Sequence, residues 1–199
     1  MARLAIALAV GVSMSAGAAH GAIVNSWETG VEGWSGITTT TGTGVTHGSS
    51  AALRDMPAGW SNTMQSGYSN DIRVALTGEN LLKVDVTPEF AAPSWATFRI
   101  TAQVIANGGV DQQLGAQSVI GGATQTLTWD YSSISSAIDA ATSWGHVRFI
   151  TEVYGGVDVG NVTFDNLRTG EDVMVPEPGA LAAVALGALS LTRRRRPIA

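Results

Sequence analysis

Residues 95–107 read WATFRITAQVIAN, and their alternation is strict. Phe98, Ile100, Ala102, Val104 and Ala106 fall on one side, with Trp95, Thr97, Arg99, Thr101 and Gln103 on the other. Successive side chains of a strand point to opposite faces, so the stretch predicts a strand with one apolar and one polar face. Residues 81–87 repeat the pattern, Leu82, Val84 and Val86 opposing Lys83, Asp85 and Thr87. Residues 145–154 repeat it again, with Val147, Phe149, Thr151 and Val153 against His146, Arg148, Glu152 and Tyr154. Residues 161–167 make a last strand with Val162 and Phe164 inward. Shorter candidates are 22–27, 35–41, 50–55, 111–119 and 125–129, and the glycine pairs at 108–109, 121–122 and 155–156 mark turns between strands. Only residues 131–143 hint at a helix. Eight or nine short strands with polar-out alternation predict an all-β fold: a two-sheet β-sandwich of jelly-roll type, one face of each sheet in water.

Composition agrees with a globular domain. Of 199 residues 45% are hydrophobic and 14% charged, and 24 glycines lie along the chain without a fixed period. That distribution speaks for turns and against collagen-like or repeat architectures. There is no cysteine, which excludes a disulfide framework, a thiolate metal site and a cysteine nucleophile. The formal charge of −5 hides an uneven distribution, because Arg3 and Arg193 to Arg196 lie at the two ends. Between residues 22 and 174 six basic residues face fifteen acidic ones, a net charge of −9. An acidic domain without a basic stripe lacks the electrostatic footprint of a nucleic-acid binder.

The ends carry address signals. Residues 1–21 join a short positive start at Arg3 to an apolar run from Leu4 to Val12 and then to small residues, the layout of a secretory signal peptide. Residues 22–170 form the sandwich, and 171–178 a linker holding Pro176, Glu177 and Pro178. Residues 179–199 are a short apolar helix followed by Arg193, Arg194, Arg195 and Arg196. Gly179 to Leu191 as a helix rises about 20 Å, short of a roughly 30 Å hydrocarbon core. The arginines would stay on the cytoplasmic side and hold the preceding chain outside. This tail resembles the PEP-CTERM sorting signal in all three of its parts. The resemblance implies a protein of bacteria that make extracellular polysaccharide, recognised by an exosortase-type sorting enzyme. It also implies a membrane association through the C-terminus, transient or stable, and a location in the cell envelope or outside it.

A second resemblance covers the middle domain. The opening NSWETGVEGWSG (25–36), the segment VTHGSSAALRD (45–55) and the closing NVTFDNLRTG (161–170) are similar to parts of carbohydrate-binding-module-like jelly rolls of the galactose-binding type. The resemblance implies a structural calcium ion, with Glu28, the Gly48–Ser49 backbone and Asp165 as its ligands. Ca²⁺ takes six to eight oxygens from carboxylates, carbonyls and water, and these residues meet only if the first and last strands are neighbours.

The polar strand faces are the expected ligand surface. Parity puts Trp95, Arg99 and Gln103 together on one strand and Arg148, Glu152 and Tyr154 on another. Aromatic rings stack on the C–H faces of sugars while polar side chains pair with the hydroxyls. Trp60, Tyr68, Trp129, Tyr131 and Trp144 are further aromatic candidates in or near loops. The plainer reading is that tryptophans fill the core and Arg–Glu pairs decorate the surface. Catalytic signatures are missing: no Gly-x-Ser-x-Gly elbow, no His-Glu-x-x-His, no phosphate loop. A carboxylate pair for glycoside cleavage could still assemble in the fold, Glu152 with Asp85 being the pair on offer. The expected function is therefore a non-catalytic surface or matrix module contacting extracellular polysaccharide. A small jelly-roll glycosidase or polysaccharide lyase, and a purely structural matrix protein, are the alternatives.

Overall fold

The computed structural model describes residues 22–170 apart from 57–60, 91, 92, 94, 121, 157 and 158. The signal peptide, the Pro-Glu-Pro linker, the apolar tail with its arginines, and Trp60 lie outside the described residues. Among those described, no helix is long and apolar enough to cross a membrane.

The chain forms a β-sandwich of jelly-roll type from two antiparallel sheets. In chain order the strands are β1 (Ile23–Asn25), β2 (Thr38–Thr40), β3 (Ala51–Met56), β4 (Ser61–Gln65), β5 (Leu81–Pro88), β6 (Thr97–Ala106), β7 (Val110–Ser118), β8 (Gln125–Asp130), β9 (Gly145–Tyr154) and β10 (Gly160–Thr169). Two short helices interrupt them, α1 (Asn70–Leu76) after β4 and α2 (Ser132–Ala140) after β8. The first sheet runs β2-β3-β10-β5-β8, with β1 also paired to β10; the second runs β4-β9-β6-β7.

The core lies between the sheets and follows the alternation. Phe98, Ile100, Ala102, Val104 and Ala106 of β6 and Val147, Phe149, Thr151 and Val153 of β9 are buried. From the other sheet come Leu82, Val84 and Val86 of β5 and Val162 and Phe164 of β10. Phe149 is the centre of an aromatic cluster, its ring 6.0 Å from those of Trp34 and Phe164 and 5.6 Å from Trp129. Trp129 and Tyr131, expected as possible ligand platforms, are core residues instead: the indole N–H of Trp129 donates to the Gly115 carbonyl and the Tyr131 hydroxyl to that of Leu76. A buried Tyr or Trp needs such a partner for its polar tip.

Three expectations need correcting. The stretch 35–41 is a strand only at Thr38–Thr40, because the chain changes sheets there. Ser35 exchanges two backbone hydrogen bonds with Gln65 at the end of β4, while Thr38 pairs with Leu53 of β3. Strand β4 and helix α1 were not anticipated at all. Segment 61–65 carries only one apolar residue, and α1 places only Ile72 and Leu76 inward. The third correction concerns the wet faces. Lys83, Asp85 and Thr87 of β5 and Thr163 and Asp165 of β10 point away from the core, yet all are buried. The loop between β2 and β3 lies across them. Gly44, at φ +90°, approaches so closely that a Cβ there would stand 2.8 Å from the Cβ atoms of both Thr87 and Thr163. Among the described residues, the β4-β9-β6-β7 sheet has no loop crossing the middle of its outer face.

Candidate functional site

On that open face, register brings together residues that parity could only assign to a side. Arg99 lies opposite Glu152, Gln103 opposite Arg148, and Thr97 opposite Tyr154. Two lateral networks result. In the first, Arg99 Nε donates to Glu152 Oε2 at 2.6 Å, and the Tyr154 hydroxyl donates to Glu152 Oε1 at 3.1 Å. The Arg99 guanidinium carbon also stands 5.1 Å from the centre of the Tyr154 ring. Hydrogen bonding to Glu152 and Tyr154 holds Arg99 still more firmly protonated than usual.

The second network crosses all four strands. Arg148 Nε donates to Gln65 Oε1 at 2.8 Å and its terminal nitrogen to Gln103 Oε1 at 3.2 Å. The Gln103 amide in turn donates to the Asp111 carboxylate. These neighbours cover Gln103 so well that only 6% of it is exposed, although it points outward. A planar guanidinium held at two edges by amide oxygens keeps three N–H donors for other acceptors in a fixed fork.

Aromatic rings stand at both ends of this face. Trp95, two residues before β6, is 68% exposed and touches the turn after Tyr154, where Gly155 passes beneath its ring. At the other end Tyr68 is 65% exposed, stacked on His146 with centroids 4.6 Å apart and edge-on to Trp144 at 4.8 Å. From Tyr154 to His146 the face runs eight residue steps along β9, roughly 26 Å at the rise of a strand. Tyr68 and Trp144 were sequence candidates, but their partnership with His146 was not legible, because it depends on the β4–α1 connection folding back beside β9. Ser69 and Gly145 exchange backbone hydrogen bonds there.

The residues expected to hold calcium all contact the loop between β2 and β3, Glu28 through Ser49 and Asp165 through Thr46 and His47. Both Glu28 oxygens accept from the Ser49 N–H, at 3.1 and 2.9 Å, and Glu28 Oε2 also accepts from the Ser49 hydroxyl at 2.8 Å. These bonds hold the Glu28 carboxyl below its ordinary range. Gly48, at φ +67°, passes so near that any side chain would collide with the Glu28 carboxylate. Asp165 Oδ2 accepts from the N–H groups of Thr46 at 2.5 Å and His47 at 2.6 Å, and the Thr46 hydroxyl shares its proton between Asp165 Oδ2 at 3.1 Å and Asp85 Oδ2 at 2.9 Å. Asp165 Oδ1 accepts from Asn166 N at 2.7 Å. The donor set is chemically right for Ca²⁺, which favours carboxylate oxygen. In the present arrangement N–H groups aim their positive ends at the oxygens a cation would use, so a calcium ion would have to displace them. In this geometry the two carboxylates clamp loop 44–50, helped by Asp85 on the Thr46 hydroxyl and by the Trp27 carbonyl on the Ser50 hydroxyl.

The covered side also excludes the catalytic pair that the sequence offered. Asp85 lies under the loop on the outer face of one sheet and Glu152 on the outer face of the other, so the sandwich separates them. Asp85 stands instead directly opposite Asp165. Burial works to raise its carboxyl pKa, but hydrogen bonds from Thr126, Thr46 and Asn166 and the charge of Arg168 outweigh burial and hold it below the ordinary value. Hollows of about 370 and 470 Å³ open beside this side, lined by threonines, Leu53 and Asn161 among others, with no aromatic ring among the described lining residues. The aromatic face is the better candidate for sugars, which need a platform as well as polar partners.

No protein-family model matches the chain, and no curated protein does either. Among solved structures it is similar to a family 28 carbohydrate-binding module described as specific for non-crystalline cellulose. That likeness has a TM-score of 0.58 and 14% identity, over 77% of this chain and 96% of that one. It is also similar to the CBM27-1 module of Caldicellulosiruptor saccharolyticus, solved with mannohexaose, at a TM-score of 0.52 and 14% identity over 78% of this chain and all of that one. At such identity the likeness concerns architecture alone, and the chain has the β-sandwich fold seen in these modules.

Proposed function

We propose that this protein is a non-catalytic module that binds polysaccharide on the outer face of the β4-β9-β6-β7 sheet. The observation that carries the reading is the open face itself: exposed rings at both ends, and between them two hydrogen-bonded polar networks that need no cover. Trp95 and Tyr154 supply stacking, Arg99, Glu152 and Arg148 pair with hydroxyls, and the covered Gln103 holds Arg148 in place for them. The sandwich fold shared with modules described as binding cellulose or mannohexaose supports the same reading. The address signals add that the module works outside the cytoplasm, sorted through Pro176, Glu177, Pro178 and the arginine block by an exosortase-type enzyme.

Binding of the purified protein to a panel of soluble and insoluble polysaccharides tests the reading. Trp95→Ala should abolish or strongly weaken retention while leaving the melting temperature unchanged, since the ring is mostly exposed. Retention on no polysaccharide would overturn it and leave a structural matrix protein. Calcium belongs to the proposal in one form only. It would bind Glu28 and Asp165 if loop 44–50 turned the Ser49, Thr46 and His47 N–H groups away. A melting temperature that rises with calcium and falls back with chelator supports that; an unchanged one leaves loop 44–50 anchored by the protein's own hydrogen bonds.

A further inference from the structure

His146 is out of place on the polar face. Its parity points it outward with Arg148 and Ile150, yet only 1% of the residue is exposed. Its cover is Tyr68, stacked flat on the imidazole. The tautomer follows from the hydrogen bonds around it. Ser66 Oγ donates to the Gly67 carbonyl at 2.9 Å and accepts from Val147 N at 3.0 Å. With its proton assigned to the Gly67 carbonyl, that hydroxyl accepts from His146 Nδ1, 3.3 Å distant, and backbone hydrogen bonding of the imidazole to Gly67 and Ser66 fits the same assignment. Nδ1 therefore carries the proton, and Nε2 is a bare acceptor, because a neutral imidazole has one of each. Nε2 is buried and has no partner. Burial, followed by the nearby charge of Arg148, holds the His146 pKa below the ordinary histidine value, so the lone pair stays available at neutral pH.

A buried acceptor without a donor costs about 1–3 kcal/mol, and a native structure keeps one for a reason. The group that hides it is loosely held. Tyr68 exposes two-thirds of its surface and is kept in place by ring contacts with His146 and Trp144. Stacks of this kind are worth about 0.5–1.5 kcal/mol beyond area burial, so they can be exchanged for another flat partner at small cost.

We propose that Tyr68 is a movable cover on a sugar subsite, in which the bare Nε2 of His146 accepts a hydrogen bond from a neutral sugar hydroxyl. Tyr68 swings off the imidazole and stacks on the sugar ring, with Trp144 as the side wall. The ligand class is set by the anchor: Nε2 can take a hydroxyl proton, whereas a carboxylate or sulfate has no proton to give at neutral pH. The subsite rests on the polysaccharide-binding reading and extends it to the end of the face opposite Trp95.

The test is imidazole ¹⁵N NMR on the full chain, with glucose, mannose, galactose and xylose added one at a time to saturation. At least one should move the Nε2 resonance towards that of a protonated nitrogen and shift the Tyr68 ring signals, while sodium acetate and sodium sulfate should move neither. His146→Phe keeps a ring to stack on and removes the acceptor; it should weaken retention on the polysaccharide that the native protein binds by about five- to tenfold, the worth of one hydrogen bond. Should that variant fail to fold, the native titration stands by itself. No movement of Nε2 with any of the four sugars overturns the subsite, whatever the polysaccharide panel shows. Trp95-dependent retention alongside a silent Nε2 would sink the subsite alone, whereas absence of both would sink it together with the wider reading.

Discussion

Asp165→Asn is the substitution that most directly tests how the covered side is held together. The native carboxylate is fully buried; Oδ2 accepts from the N–H groups of Thr46 and His47 and shares the Thr46 hydroxyl with Asp85, and Oδ1 accepts from Asn166 N. An asparagine keeps the shape but turns one oxygen into an NH₂. Whichever way the amide is placed, at least one N–H then faces another N–H. Hydrogen bonds to a charged group are worth about 1.5–3 kcal/mol each, and a donor left unpaired in the interior costs about 1–3 kcal/mol. Against this stands one gain. Asp85 lies directly opposite, and like charges so placed repel by roughly 0.2–1 kcal/mol. The loss outweighs the relief, giving a net destabilisation of about 2–4 kcal/mol. For a domain of this size that lowers the melting temperature by roughly 5–15 °C. Urea unfolding at neutral pH measures the free energy, and hydrogen exchange at the Thr46 and His47 amides reads the clamp itself. A stability loss below about 0.5 kcal/mol, with both amides still protected, would refute the carboxylate clamp.

Gly145→Ala should cost about 1–3 kcal/mol in urea unfolding, because its Cβ would stand 2.9 Å from the Arg73 Cα and N and push α1 off β9. Acid should remove the stability contributed by Asp85. Its folded pKa lies below the unfolded value of about 3.9, so that contribution is complete above pH 5 and lost as pH falls below 4, and Asp85→Asn should flatten this limb of the pH–stability curve. His146 acts earlier in an acid titration: the unfolded chain takes up its proton near pH 6.5 while the folded one resists, so stability declines as pH falls below 6.5, a slope that His146→Phe should erase.

What the sequence revealed of the fold is what periodicity can carry. The long strands β5, β6, β9 and β10 each hold four or more alternating positions, and the inward residues named from parity are the residues of the core. Segment 61–65 has a single apolar residue, Met64, and is a strand because Gln65, Met64 and Thr63 pair with β9, a contact nearly ninety positions away. Local pattern holds no trace of such a contact. Helix α1 is short for the same reason that it was illegible: two inward residues and a Ser69 cap, whose hydroxyl accepts from Asp71 N, suffice once Gly145 leaves room for it. Within the candidate site, parity named Arg99, Gln103, Arg148, Glu152 and Tyr154 but could not say that register would bond them across strands, nor that His146 would be roofed by Tyr68.

Parity also could not say which polar face stays open, since both sheets alternate alike. The answer lies in what the outward polar groups demand. On the β10-β5 side, two carboxylates face each other in register at Asp85 and Asp165, and carboxylates are acceptors only. They cannot satisfy one another: Asp85 draws donors from Thr126, Asn166 and Arg168 within the sheet, whereas Asp165 draws most of its donors from outside it. Loop 44–50 supplies the Thr46 and His47 N–H groups and in doing so covers the face. On the β6-β9 side, donors and acceptors alternate across the strands: Gln65 with Arg148, Arg148 with Gln103, Gln103 with Asp111, and Arg99 with Glu152. These demands are met within the plane of the face, and the cover that Tyr68 lays over His146 stays at its end. The lateral bonding that leaves this face uncovered also fixes the directions of its remaining N–H and O–H groups. A hydroxyl-rich chain laid on it would meet donors and acceptors that are already ordered, and little conformational entropy would remain to be lost on binding.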